Sequence, residues 1–494
     1  MPLSPCLIQW DVPPKRAMPT MSSHVIKTKQ RKRMAIIASY FGGETYGLLG
    51  PQMAATVIQD NTAYDCIVIT VTREDDKTLL KKALINYFGV ERPIVGFSAL
   101  SGREDLFRFA RELKDDGALT LLAGPQANVD YLGERNWQDH PHRFKGLSKH
   151  FTLSLHGPAE QVVFLLQDLD GNSRHATSGL LYCRQDGKII QNPKKAWDEK
   201  FLRKVQWDNI YRMGKDGLIP LKITTGQVLQ HIGCPYSAKE RMVEIDYPAS
   251  LTGKKTQRIK LPLKGCSFCD VAVDKGFYGA LDMETVIRQI HCLPGRADGR
   301  KVPFELINEN PLPGLPRLLT EIRTRGIRPS RINLILRADW FVIGERYLRE
   351  SLVLARDMGI FIRLSSVGFE SFDDGILRNF NKGLSVETNL RAIRLMRRLK
   401  EQFPRQWAYA RVDGAIHGFI HPTPWDTRDV SAKLQKTLGA YALPADILPE
   451  HSTPLIIHHA SGLGDWIREI ERRENIRYKR FGSVIGWWRE GNYR

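Results

Sequence analysis

Short apolar runs alternate with amphipathic segments along most of the chain. Residues 34–39 (Met-Ala-Ile-Ile-Ala-Ser) predict a buried strand, followed by a glycine-rich loop at 40–51 and a helix from about Gln52. Residues 66–71, 93–98, 119–123 and 151–155 predict four more strands. Leu106, Phe109, Ala110 and Leu113 mark one face of an intervening helix. This alternation implies a parallel sheet with helices on both faces, whose ligands lie beyond the carboxyl ends of the strands. Those ends carry Gly42, Gly43, Gly47, Ser98, Gly124 and Gly157. Small residues there let a large flat ligand approach the backbone, although each glycine taken singly also reads as a turn.

Residues 167–225 read as a polar connector, with turn signals at 168–174, 184–188 and 192–195. A second alternating pattern starts near residue 226. It predicts strands at 228–232, 302–307, 332–337, 360–365, 409–420 and 454–458, and helices at 281–291, 315–325, 345–358, 385–402 and 427–440. Ser385 can cap its helix, and Val386, Leu390, Ile393 and Met396 share one face. Six strands alternating with helices imply an open or partial barrel, with the chemistry at the C-terminal ends of the strands. Cys234, Asn308-Glu309-Asn310, Ser365-Ser366, Glu370 and His458-His459 all follow strands, which places them at one mouth. The predicted fold class is therefore α/β. A Rossmann-like doubly wound sheet spans 34–166, the connector 167–225, a partial (β/α)6 barrel 226–462, and a helical tail 463–494.

A chain of 494 residues fits two or three domains, and 42% hydrophobic with 26% charged content fits a globular protein. No run reaches the roughly 18 apolar residues of a membrane span, and no apolar h-region marks a secretory signal. Seven cysteines without repeated spacing argue against a disulfide framework and for a reducing, cytoplasmic setting. The formal charge is +19, of which a net six lies in residues 1–33, a basic tail read as disordered. The remaining positive charge is spread rather than gathered into a stripe, so a solvated surface is favoured over a nucleic-acid face. At the C-terminus, Arg472, Arg473, Arg477, Lys479 and Arg480 interleave with Tyr478, Phe481, Trp487 and Trp488. Such a tail stacks on nucleic acid or packs on the domain beneath it, and packing is the favoured reading.

Cys266 and Cys269 form a Cys-x-x-Cys pair in Lys264-Gly265-Cys266-Ser267-Phe268-Cys269-Asp270, and Cys234 lies 32 residues upstream of Cys266. The pair alone is compatible with zinc, a redox dithiol, an iron–sulfur site or two buried thiols. A closed zinc site wants four ligands, and the sequence has no second Cys-x-x-Cys. A thioredoxin-like dithiol would follow the first strand of a small domain, which this position does not. Three thiolates suit a cluster that keeps one iron position open. Cys292, at the end of a predicted helix, is the rival third thiol and reads as structural; Cys6, Cys66 and Cys183 read as unligated.

Gly233-Cys234-Pro235, followed by Gly265-Cys266-Ser267-Phe268-Cys269-Asp270, resembles the radical S-adenosylmethionine cluster motif in split form. Most of that superfamily holds its cysteines as C-x3-C-x2-C in one loop. Here residues 235–265 fill the first spacing and read as a charged surface excursion, which loop-closure entropy tolerates. Further likeness lies in Asn308-Glu309-Asn310, in residues 367–374 with Asn381-Lys382-Gly383 and Glu387-Thr388-Asn389, and in Gly418-Phe419-Ile420. In the N-terminal half, residues 93–98, 123–127 and 156–160 resemble the cobalamin-binding domain that precedes many of these barrels. The resemblance covers about residues 34–460.

The resemblance implies a [4Fe-4S] cluster on Cys234, Cys266 and Cys269. It implies S-adenosylmethionine on Asn308, Glu309, Asn310, Ser366, Glu370, Ser371 and Gly418, and cobalamin beside Gly47, Ser98, Gly124 and Gly157. Residues 39–50 hold no histidine, so cobalamin is expected to bind without a protein histidine ligand. The activity implied is a cobalamin-dependent methyltransferase acting on an unactivated carbon through a 5′-deoxyadenosyl radical. Its substrate would be a small or natural-product-like molecule, and its electron donor a flavodoxin or ferredoxin. Alternatives are a cyclisation, ring rearrangement or oxidation with the same cofactors, an RNA-modifying protein, and a non-catalytic protein with a degenerate cluster site. Asp413, His417, His421, His458 and His459 are candidate proton-handling groups, each of which also reads as structural.

Overall fold

The computed structural model describes residues 31–100, 103–124, 127, 150–167, 169, 173–248, 251, 257–269, 277–447, 452–459, 461–481 and 484–487. The expected basic tail lies outside these residues, apart from its last three. Two of those, Lys32 and Arg33, open the first strand instead: Lys32 pairs with Tyr64, and the Arg33 N–H donates to Glu91. That strand, β1 (Lys32–Ser39), sends Met34, Ile36 and Ala38 into one core and Ala35 and Ile37 into another. A strand buried on both faces needs a cover on each side, and the helices Leu49–Asn61, Lys77–Phe88 and Glu104–Asp115 follow in turn.

The remaining strands of this sheet are β2 (Tyr64–Val71), β3 (Ile94–Ser98), β4 (Leu119–Ala123), β5 (Leu153–Leu155), β6 (Leu180–Cys183), β7 (Ile189–Gln191), β8 (Ile210–Met213) and β9 (Leu218–Pro220). Their order is β7-β6-β5-β4-β3-β1-β2-β8-β9. The run from β5 to β8 is parallel, and β6–β7 and β9 are antiparallel additions at the two edges. Residues 167–225, read above as a connector, thus supply four strands that extend the sheet on both sides. The apolar runs Leu180-Leu181-Tyr182 and Ile210-Tyr211 are short and set among turn residues, which hid them.

The second half is built on β10 (Gly226–Leu229), β15 (Phe304–Ile307), β16 (Arg331–Arg337), β17 (Phe361–Gly368) and β18 (Trp407–Ala408), all parallel and adjacent in that order. The expected helices are present as Met283–Cys292, Leu315–Thr324, Glu345–Met358, Val386–Gln402 and Arg428–Ala440. Ser385 caps its helix by accepting from the Thr388 N–H. The fifth strand ends at Ala408, ahead of the stretch 409–420 in which a strand shorter than that span is expected. The Asp413 carboxylate accepts the N–H groups of Tyr409 and Ala410 at 3.0 and 3.1 Å and folds this stretch into a turn. The barrel continues as two parallel bridges, Glu370 with Phe419 and Ile420 with Thr453. The expected sixth strand survives as β19 (Ile457–His458), which pairs antiparallel with β21 (Val484–Ile485); β20 (Arg480–Phe481) flanks β21.

Between β10 and β15 lie β11 (His231–Gly233), β12 (Glu240–Tyr247), β13 (Gln257–Lys264) and β14 (Phe277–Ala280). β12 and β13 form an antiparallel hairpin in unbroken register from Glu240↔Lys264 to Tyr247↔Gln257. Ile245, Tyr247, Ile259 and Leu263 face inward and pack with Trp466, Ile467 and Ile470 of the helix Gly462–Glu474, together with Phe380 and Trp425. The expected surface excursion is therefore a two-faced hairpin, charged outside and apolar inside. Tyr478 and Trp487 of the C-terminal segment are buried in the same core, whereas Phe481 is exposed; Trp488 lies outside the described residues. No helix among the described residues is long and apolar enough to cross a membrane.

One ion pair ties the first sheet to its third helix. Buried Arg103 donates to the carbonyls of Val71 and Thr72, at the end of β2, and grips Asp105 at 2.8 Å through two nitrogens. Burial alone would raise the Asp105 carboxyl, but Arg103 and Lys77 overcome it and hold it at about 2, against 3.8 for an ordinary aspartate. Folding thus favours the ionised form. The resulting stability, on the order of 1–2 kcal/mol after screening, is complete above about pH 4 and is lost as pH falls through about 2. In urea melts, the stability gap between wild type and Asp105→Asn should narrow as pH falls from about 4 to 2; a gap independent of pH contradicts this.

Candidate functional site

β10 ends at Leu229, and the predicted strand at 228–232 is broken there. β11 turns away and pairs antiparallel with β14. Gly233, at φ +84°, makes the left-handed bend that brings Cys234 to the head of a short 3-10 turn, Pro235–Ser237. The Ser237 N–H and hydroxyl both donate to the Cys234 carbonyl, at 3.0 and 2.7 Å. The β12–β13 hairpin then leaves and returns, and Gly265, at φ +73°, bends the chain into Cys266. The Cys269 N–H donates to the Cys266 carbonyl at 3.2 Å, so Cys-x-x-Cys is a tight turn. Ser267 pins that turn from inside. Its N–H donates to the Phe380 carbonyl, its hydroxyl to the Asn379 carbonyl, and its carbonyl accepts from the Leu463 N–H. Phe268 stacks edge-on against Phe380 at 5.0 Å, and the Asn381 amide donates to the Gly265 carbonyl at 2.7 Å.

Two buried cations flank Cys266. Arg337, at the end of β16, points one nitrogen at the Cys266 sulfur, 3.4 Å away, and donates to the Lys382 carbonyl and to Asp339. Its guanidinium lies 4.1 Å over the Tyr236 ring, whose hydroxyl donates to the Asn381 carbonyl at 2.9 Å. Lys382 pairs with Glu370 at 2.8 Å. Burial pushes the Cys266 thiol up, and Lys382 and Arg337 draw it back toward the thiolate. Burial also opposes the Lys382 ammonium, yet Glu370 and Cys266 outweigh it and raise its pKa. Burial raises the Cys234 thiol as well. An N–H from Tyr236 opposes that rise, and the Glu309 carboxylate and Cys266 add to it.

Among the described residues, no three His, Cys, Asp or Glu side chains converge as they would on a single ion. In an iron–sulfur cluster each thiolate takes a different iron, so its cysteines need not converge in that way. The six described cysteines are all outside disulfides. Cys292 ends the helix Met283–Cys292 and packs against the main core, Cys66 is buried in β2, and Cys183 is exposed.

Glu370 occupies a left-handed position at φ +56°. One of its oxygens is on Lys382, and its Oε2 is buried without a hydrogen-bond donor among the described residues. Asn389 holds this segment by donating to the carbonyls of Phe369 and Ser371 at 3.1 and 2.9 Å. Ser371 is buried, Ser366 is half-buried opposite Ile335, and Gly418 precedes the Phe419 bridge to Glu370. After β15, Asn308 bonds Gln230 through its amide and accepts the Asn310 N–H, which leaves Glu309 exposed.

The candidate proton-handling groups divide. Buried His417 accepts the Val367 N–H at Nδ1 and donates from Nε2 to the Tyr409 carbonyl, and burial lowers its pKa: it is a structural brace. Asp413 closes the turn described above. His421 faces Asp426 at 3.2 Å, which raises its pKa. His458 lies in β19, and His459 is fully buried.

At the carboxyl ends of the first sheet, Ser98 and Gly124 meet: a Cβ on Gly124 would lie 2.7 Å from the Ser98 hydroxyl. Gly157, at φ +125°, follows β5 beside Lys194, and nothing lies within 4 Å of a Cβ on Gly42 or Gly43. Gly47 differs. A Cβ there would lie 2.3 Å from the Trp207 ring, so its small size serves packing against that indole rather than approach of a ligand.

Sequence reasoning missed Tyr236, Arg337 and Lys382 as parts of this site. Tyr236 stands two residues from Cys234, and Lys382 lies in a quoted motif; Arg337 had only its place at a strand end to mark it.

No protein-family profile and no curated protein matches the chain. Among solved structures, the chain is similar to apo, selenomethionine-labelled OxsB, described as a cobalamin-dependent S-adenosylmethionine radical enzyme. The TM-score is 0.57 at 11% identity, over 92% of this chain and 64% of that one. The chain thus spans under two thirds of that structure's length, and the likeness is one of fold.

A Cβ on Gly383, itself at φ +69°, would lie 2.4 Å from the Tyr236 hydroxyl that braces the cysteine turns. Gly383→Ala should cost about 1–3 kcal/mol in chemical denaturation, whereas Gly42→Ala, with open space around it, should stay within about 0.5 kcal/mol. Equal effects of the two would show that Tyr236 is not held as described.

Proposed function

We propose that the chain is a cobalamin-dependent radical S-adenosylmethionine enzyme, most simply a methyltransferase acting on an unactivated carbon. The observation that carries this reading is the hairpin. Its register brings Glu240 opposite Lys264, so the chain that leaves after Cys234 returns two residues before Cys266, which supports one site for Cys234, Cys266 and Cys269. The residues present fit a cluster and its ligand: three cysteines outside disulfides, one of them, Cys266, flanked by Arg337 and Lys382, and a buried carboxylate oxygen on Glu370 that lacks a donor among the described residues. The fold likeness to OxsB supports the same class.

In this reading Cys234, Cys266 and Cys269 hold a [4Fe-4S] cluster, and Arg337 and Lys382 favour the thiolate form of Cys266. Glu309 and Glu370 accept hydrogen bonds from the ammonium and hydroxyl groups of S-adenosylmethionine, and Ser366, Ser371 and Gly418 shape the wall for its nucleoside end. Ser98, Gly124 and Gly157, with the open ground at Gly42 and Gly43, leave room for cobalamin; Gly47 is withdrawn from that set. When bound, the cluster with S-adenosylmethionine would supply a 5′-deoxyadenosyl radical and cobalamin a transferable methyl group, while these residues orient them and exclude water. Ring rearrangement or oxidation uses the same residues, and product analysis separates these outcomes. An electron donor such as a flavodoxin or ferredoxin completes the requirement.

Anaerobic reconstitution should give about four irons per chain and a visible absorbance that Cys234→Ala, Cys266→Ala and Cys269→Ala each abolish. With dithionite, the loaded protein should convert S-adenosylmethionine to 5′-deoxyadenosine and should retain cobalamin through gel filtration. Tight zinc with no iron, or a cluster indifferent to Cys234→Ala, overturns the reading. Glu370→Gln should weaken S-adenosylmethionine about tenfold or more, the loss of one charge-assisted hydrogen bond; unchanged affinity removes Glu370 from the site.

A further inference from the structure

The inward face of the barrel keeps solvent-accessible side chains. On each strand the outward residues Val228, Leu306, Leu334 and Leu364 are buried, while the alternate positions Leu229, Ile307 and Ser365 keep part of their surface and Ile335 is 41% exposed. A central strand exposes an isoleucine only where there is space in front of it. Deeper on the same inward face, Gln227, Glu305, Asn333 and Arg363 stand in register across four consecutive strands, Gln227↔Glu305↔Asn333↔Arg363. The barrel thus has an apolar wall at Ile335 and Ile307 and a polar floor beneath it.

That floor carries unbalanced positive charge. Arg363 is 7% exposed, and its partners are all neutral and at long range: the Ser365 hydroxyl at 3.2 Å, the Asp413 carbonyl at 3.3 Å and the Tyr46 hydroxyl at 3.5 Å. Among the described residues, Arg331 donates only to the Asn333 side-chain oxygen, at 2.9 Å. Among the described residues, no carboxylate lies within ion-pair distance of either guanidinium, and Glu305 supplies one carboxyl against two cations. The bond from Arg331 fixes which way the Asn333 amide points. It leaves the Nδ2 donor of this fully buried residue without a partner among the described residues. A buried guanidinium without a counter-ion and a buried N–H without an acceptor are each costly, and one anion relieves both.

We infer that the barrel floor is an anion-recognition subsite, and that the substrate carries a carboxylate or phosphate seated on Arg363 and Asn333, with an apolar body against Ile335. The guanidinium fork matches either oxyanion. The inference rests on the function proposed above for the word substrate, but the subsite itself does not need the cluster. Tyr46 comes from the loop after β1, so the first sheet's loop completes the floor laid by the barrel.

Equilibrium dialysis of the full chain, without metal and in about 0.15 M chloride to screen surface charge, tests it with labelled inorganic phosphate and labelled acetate. The wild type should bind at least one of them saturably. Arg363→Gln should lose roughly tenfold or more in affinity, and Arg111→Gln, an exposed control, should lose none. Phosphate alone identifies a phosphorylated substrate, acetate alone a carboxylate, and both a floor that selects charge. If Arg363→Gln fails to fold, Arg363→Lys keeps the charge without the fork and should weaken binding several-fold. Absence of saturable binding in the wild type, or equal binding by wild type and the folded Arg363 variant, overturns the inference. Anion binding without cleavage of S-adenosylmethionine would sink the proposed function and leave the subsite standing; cleavage without anion binding would do the reverse.

Discussion

The structure depends on one geometric constraint: thiols separated by a 31-residue gap share a site only if the chain between them leaves and returns at the same place. An antiparallel hairpin meets that constraint, because its register brings Glu240 opposite Lys264. Register is fixed where one face of a strand pair is buried, since a slip of one residue would turn Ile245, Tyr247, Ile259 and Leu263 out to water. Trp466, Ile467 and Ile470 bury that face. The C-terminal helix therefore bears on the cysteines at a distance: it holds the hairpin, the hairpin sets where Gly265 turns, and the Ser267 carbonyl receives the Leu463 N–H directly.

The same mouth concentrates charge in little solvent. Arg337 and Lys382 are both buried and both close to Cys266, and each is balanced in part by a carboxylate, Asp339 or Glu370. Buried ion pairs of this kind contribute little net stability, because desolvation offsets the attraction. They do set a potential, and here Lys382 and Arg337 oppose the rise that burial imposes on the Cys266 thiol. Deeper in the barrel, no carboxylate among the described residues pairs with buried Arg363 or half-buried Arg331. A folded chain that keeps a buried guanidinium out of ion-pair contact leaves electrostatic free energy for a ligand to recover.

Much of this was legible in the sequence, and the reasons differ from place to place. The strands at 34–39, 66–71, 94–98 and 119–123 were plain because strands buried on both faces are continuous apolar runs. The helix Val386–Gln402 was plain because cap and periodicity agreed. The outer strands β6 to β9 were hidden because they are short and lie among turn residues. The stretch at 409–420 misled because its apolar residues mark a path along the barrel, while the bonds from Asp413 decide its local shape. Gly47 looked like room for a ligand and is room for Trp207, a contact from more than 150 residues away that no local pattern reports. The polar floor was invisible for a related reason. Gln227, Glu305, Asn333 and Arg363 are unremarkable one at a time, and only the strand register sets them side by side.

The central claim is that Cys234 joins Cys266 and Cys269 on one cluster that keeps an iron free for a ligand. Mössbauer spectroscopy of protein reconstituted with iron-57, with and without S-adenosylmethionine, addresses it most directly. The account predicts a [4Fe-4S] signal in which one iron of about four changes environment when S-adenosylmethionine is added. A spectrum unchanged by S-adenosylmethionine, or iron held as isolated ions, would contradict it.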